Sequence, residues 1–193
     1  MIKFLHESGA RVGELLNMKV KDIVLPDVKE IKGLSTKEEL LIKVYNVKDG
    51  KEALRYTDKV FYDIFAEDFS NKFSAYVPRI LNDQDVEEAV KLIEQDKVKN
   101  VLVGDLGVYA KLKGKKGLNI YLDYSNNIFN DLDLEFFDNC TPIISPELSF
   151  EELEEFSNKN FAVLSHGKIV MMNTKYSLLP KKIKDEKKYS FPV

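Results

Sequence analysis

The sequence predicts an α/β fold, either a partial (β/α) barrel or an open, mostly parallel sheet with covering helices. Two observations set the class. Short runs of apolar, β-branched and aromatic residues recur along the chain, and charged stretches with helical periodicity separate several of them. A crossover of this kind must bury its apolar face on the sheet, which favours parallel pairing. Length narrows the choice: a closed eight-stranded barrel typically takes ~250 residues, and this chain has 193.

Seven runs are candidate strands: "LLIKVYN" (40–46), "KVFYDIFA" (59–66), "KFSAYVP" (72–78), "NVLVGDL" (100–106), "LNIYLDYS" (118–125), "TPIIS" (141–145) and "FAVLSHGKIVMM" (161–172). Between the third and fourth, "NDQDVEEAVKLIEQDKVKN" sets Val86, Ala89, Val90 and Ile93 on one helical face and charge on the other, as in an amphipathic covering helix. In "SPELSFEELEEF", Ser149 is placed to cap a helix whose third position is Glu152, with Leu148 and Leu153 spaced as a hydrophobic staple. Residues 26–39, "PDVKEIKGLSTKEE", are polar and broken by Pro and Gly. They divide an N-terminal helix and linker (1–37) from the α/β domain (38–193).

Composition limits the function classes. Hydrophobic residues make up 44% and charged residues 32%, as in ordinary globular proteins. A net charge of -3 gives no overall positive field to gather phosphates. The single cysteine, Cys140, cannot form a disulfide framework, and its position before a strand suits a small buried packing residue. No apolar run approaches the ~20 residues of a membrane span, and "MIKFLHESGA" lacks the order of a signal peptide, so a cytoplasmic protein without a membrane partner is expected. The mixed-charge "KKIKDEKKYSFPV" reads as a solvated tail or edge strand.

Ligands of parallel α/β folds sit beyond the carboxyl ends of the strands. That filter selects Arg79, Asp105, the segment from Asp123 to Asn130, Glu147, and His166 with Gly167. Each also has a structural reading: a surface pair for Arg79, helix caps for Asp105 and Glu147, loop hydrogen bonds for Asn127 and Asn130, and a hydrogen-bonded core position for His166. The only other histidine is His6, and no metal site is expected. A nucleophile elbow, a P-loop and a dinucleotide fingerprint are all lacking.

From about residue 40 onward the chain resembles the later part of the catalytic module of the collagenase-like peptidase family U-thirty-two. The resemblance runs through "YVPRI", "VLVGDLG", "LDYSNNIFN", "PIISPELSFEEL", "GKIVMMNTKYS" and "KDEKKYSFPV", in that order. It implies a barrel-like α/β protein classed as a peptidase, acting on a peptide, or on an RNA-linked substrate as related members do. It also implies Glu147, Asp123 and His166 as catalytic residues and Arg79, Asn127 and Asn130 as substrate-binding residues. Arg79 would clamp a carboxylate or phosphate, and Glu147 or Asp123 would serve as general acid-base.

Where family members place cluster cysteines this chain has Ser177 and Val170, so no cofactor and no iron-sulfur cluster is expected, and Ile169, Val170, Met171 and Met172 are expected as core packing. The first part of the family's module is not matched, which leaves independent catalysis open and suggests a partner chain that completes the barrel. The alternative is a non-catalytic binding module for peptide, RNA or a partner chain. Separately, "LHESGARVGELLNMKVKDIV" is similar to the tyrosine-recombinase segment that carries its first catalytic arginine, here Arg11. That family's later motifs are not found.

Overall fold

The computed structural model describes residues 40–167 and 169–170. The segment around Arg11, the residues from Met171 onward and the proposed linker lie outside them. The described residues form six parallel strands in the order β1-β2-β3-β4-β5-β6, curled into a half-barrel. The strands are β1 (Ile42–Lys43), β2 (Val60–Asp63), β3 (Ser74–Val77), β4 (Asn100–Val103), β5 (Asn119–Leu122) and β6 (Thr141–Pro142). Five α-helices accompany them: α1 (Val47–Ala53), α2 (Asp83–Gln95), α3 (Leu106–Leu112), α4 (Asp131–Phe136) and α5 (Phe150–Glu155). Each strand lies beside its predecessor in sequence, so the sheet has no point where strand order reverses, and the loops after the strands gather on one rim.

Each predicted run falls on this sheet, though the paired parts are shorter than the apolar runs. The seventh run joins it by a single parallel bridge, Ala162 to Ile143. Beyond it Ile169 and Val170 are each 40% exposed, which corrects their expected role as core: they lie past the last pairing among the described residues. A second departure is the link between β2 and β3, residues 64–73, which is built of turns and carries no covering helix. At ten residues it is near the lower limit for a parallel crossover.

Side-chain alternation divides the sheet into two faces. Ala75, Val77, Val101, Val103, Ile120 and Leu122 point to the helices, where they meet Val86, Ala89 and Ile93 of α2 and Val108 and Leu112 of α3. The amphipathic pattern read from 83–95 therefore lands on the core. Leu153 of α5 joins the same core at 7% exposure, with Leu148 packed against it. Ser149 and Glu152 form the reciprocal capping box that starts α5, each side chain bonded to the other's backbone N–H. Such a box satisfies two N–H groups that a helix start leaves open. Cys140 is buried, its Sγ 3.2 Å from the Phe137 carbonyl, as a packing residue should be.

The opposite face carries Phe61, Leu102, Tyr121 and Ile143, from β2, β4, β5 and just after β6, packed with Leu41, Tyr76, Tyr124, Ala162 and Leu164. Phe61 and Tyr121 meet edge to face at 5.5 Å. This inner face is apolar at its floor. Polar residues lie on this face at both ends of the strands: Ser74, Asn100 and Asn119 at the amino ends, Asn119 bonded to Asn100, and a charged group at the carboxyl ends.

Candidate functional site on the strand-end rim

The period of two that sends Phe61 inward also sends Asp63 inward, one turn of the pleat nearer the rim. By the same register Lys43 of β1, Tyr76 of β3 and Asp123, just after β5, share that side of the sheet. Lys43 is the hub. Its Nζ sits 3.4 Å above the centre of the Tyr76 ring and 5.6 Å from that of Tyr45. Burial pushes its pKa down; the carboxylates of Asp123 and Asp63 oppose that shift, and the nearby Arg79 guanidinium adds to it. Burial also drives the Tyr76 phenol well above its ordinary range, with Asp123 acting in the same direction. Tyr45 is raised by burial, then by Tyr124 and Asp123.

Backbone packing fixes the positions of these groups. Arg79 follows Pro78 at the end of β3, where its backbone lies against Gly104: a Cβ at Gly104 would come 2.8 Å from the Arg79 nitrogen. Gly104 N–H donates to the Val77 carbonyl at 2.9 Å, which ties the ends of β3 and β4. Asp123 is 4% exposed and accepts a hydrogen bond from the Ser125 hydroxyl at 2.9 Å, while its own N–H donates to Val103. Asn126 spans the same corner, its Nδ2 donating to the carbonyls of Val103 and Asp123. The N–H of Val170 donates to the Tyr124 hydroxyl at 3.0 Å, so the segment after Gly167 returns to this rim.

Of the residues singled out from sequence, Asp123 and Arg79 both lie near enough to Lys43 for their charges to act on it. Asn127 is exposed and holds a left-handed backbone at φ 53, which ends the short 3-10 turn Tyr124–Asn126. Asn130 caps α4, its side-chain oxygen accepting from Asp133 N–H at 3.0 Å. Asp105 caps α3 in the same way, accepting from Gly107 and Val108. Glu147 and His166 are exposed, and among the described residues neither side chain makes a hydrogen bond.

Sequence reading passed over Lys43, Asp63 and Tyr76. A signal was present: Lys43 is the one charged residue inside "LLIKVYN", and Asp63 closes "VFYD" as Asp123 closes "IYLD". The strand-end filter applied equally to the first two strands finds both.

Among the described residues no group of three or more His, Cys, Asp and Glu converges as metal ligands, and no helix is long and apolar enough to cross a membrane. Compared with protein-family profiles, curated proteins and solved structures, the chain gives no match.

Proposed function

We propose that residues 38–193 are a divergent, partial peptidase module of the collagenase-like U-thirty-two kind, which takes and cleaves a peptide at the strand-end rim. One observation carries the reading. The family-like segments "YVPRI", "VLVGDLG", "LDYSNNIFN" and "PIISPEL" follow four consecutive parallel strands, β3 to β6, so Arg79, Asp105, Asp123 and Glu147 leave the sheet at its carboxyl edge. A shared rim is what a site assembled from separate strand ends needs.

In this reading Arg79 clamps a ligand carboxylate, and Asp123 or Glu147 takes the proton from the water that attacks the peptide carbonyl and returns it to the leaving amine. His166 is the further acid-base candidate. Asn127 and Asn130 orient the chain; Asn130 commits its oxygen to the helix cap, which leaves its amide N–H groups to donate.

A binding module without catalysis is the second reading, and a specific observation favours it. Glu147 and His166 are exposed and carry no orienting hydrogen bond among the described residues, whereas acid-base groups are ordinarily held by their neighbours. Digestion of casein and collagen peptides by the purified protein separates the two. Cleavage that falls by ~10²–10⁴ in Glu147→Ala or Asp123→Asn supports the peptidase. Equal background from wild type and variants supports the module.

A further inference from the structure

We propose that Lys43 anchors a carboxylate of a ligand held at the strand-end rim, and that the group it takes is the free C-terminal carboxylate of a peptide. The choice of a peptide rests on the function proposed above; the anchoring does not. Lys43 is partly buried, and among the described residues its amine makes no hydrogen bond and no ion pair. Its contacts are ring faces: Tyr76 beneath it at 3.4 Å and Tyr45 at 5.6 Å. A ring face attracts an ammonium but offers it no lone pair, so donors remain that a ligand acceptor can fill.

Among the described residues, the charged groups that act on the amine are Asp123 after β5, Asp63 at the end of β2, and Arg79 after β3. Both carboxylates lie beyond ion-pair distance of it. Both are also engaged elsewhere, Asp63 accepting from Phe65 N–H at 3.0 Å and Asp123 from the Ser125 hydroxyl. The cation is thus left under-compensated, as the downward direction of its pKa agrees. A carboxylate brought to Nζ supplies the missing acceptor and negative charge together, and Arg79 adds a second positive group from the end of β3, two strands away. Phe61, Leu102 and Ile143 are buried and close the sheet below the amine, so an acceptor that reaches it from the rim suits the end of a chain better than a residue within one.

The test uses the full chain and one short apolar peptide in three forms: the free acid, the C-terminal amide, and the amide with an internal glutamate. Binding is measured by calorimetry at neutral pH, and each variant is first checked by thermal melting. The acid should bind about tenfold more tightly than the amide. Lys43→Met should reduce the acid to the affinity of the amide, and Lys43→Arg should keep most of the preference. Equal affinity for acid and amide in wild type overturns the proposal, as does a preference that survives Lys43→Met or a failure of all three forms to bind. A glutamate-bearing amide that matches the acid overturns the terminal assignment. Hydrolysis is not read in this experiment, so an inactive protein would refute the peptidase reading and leave the Lys43 result standing.

Discussion

Gly104→Ala is a perturbation whose cost can be worked from the geometry of the rim. The added Cβ would sit 2.8 Å from the Arg79 nitrogen, 2.9 Å from its Cα and 3.0 Å from its Cβ. Comfortable contact between such atoms begins at about 3.5 Å, so the end of β3 and the end of β4 must part by roughly 0.7 Å. The atoms in the way are mostly backbone and cannot swing aside. Overpacking of this sort costs ~1–3 kcal/mol, offset by ~0.4–1 kcal/mol because alanine restricts the unfolded chain. The net is a loss of about 1–2 kcal/mol, which for a chain of this length lowers the melting temperature by ~2–8 °C. Thermal melting followed by circular dichroism reads it. Because Arg79 itself is displaced, peptide binding should weaken by more than the loss of folded protein explains. A melting temperature unchanged within a degree would refute the close approach and, with it, the position given to Arg79.

Further outcomes are expected. Leu153→Ala should destabilise by ~2–4 kcal/mol in chemical denaturation, since Leu153 is 7% exposed on the core side of α5. Ser149→Ala removes one half of the α5 capping box and should cost ~1 kcal/mol in the same assay. Burial pushes the Cys140 thiol up to about 11 and the neighbouring Tyr109 phenol up to about 12. Both groups then hold protons in the folded chain that the unfolded chain releases, so stability should fall as pH rises from ~9 toward ~11, and Cys140 should resist alkylation at pH ~7.5 until the protein is unfolded. Prepared without oxygen, the protein should carry no stoichiometric iron and acid-labile sulfide, because one cysteine cannot supply the thiolates of a cluster.

The sheet was legible in the sequence because strands buried on both faces read as nearly continuous apolar runs, and "VFYD", "SAYV", "NVLV" and "NIYL" are such runs. The start of α5 was legible because its cap has a local grammar, Ser149 with Glu152; the like capping box of Asn82 and Asp85 that starts α2 was passed over, that helix being read from its apolar face alone. Strand ends were less so, since an apolar run does not say where a neighbour stops pairing. "LNIYLDYS" thus turns at Asp123 into a 3-10 turn, and the run through Ile169 pairs only at Ala162. The site was half legible. Asp123 and Arg79 were found by position, whereas Lys43 and Asp63 were read as parts of strands because their neighbours in sequence are apolar. Their grouping depends on register between β1, β2 and β3, a non-local quantity that no single segment encodes.

Ligand should enter at the carboxyl rim of the half-barrel, between Lys43, Asp63, Tyr76 and Asp123. Backbone amide NMR of the full chain, titrated with the free-acid peptide, tests it most directly. The largest shifts should fall at Lys43 to Tyr45, Asp63, Tyr76 to Arg79, Gly104 and Asp123 to Asn127, which are separate in sequence and adjacent on the rim. Shifts confined to the outer surfaces of α2 and α3, with the rim silent, would contradict it.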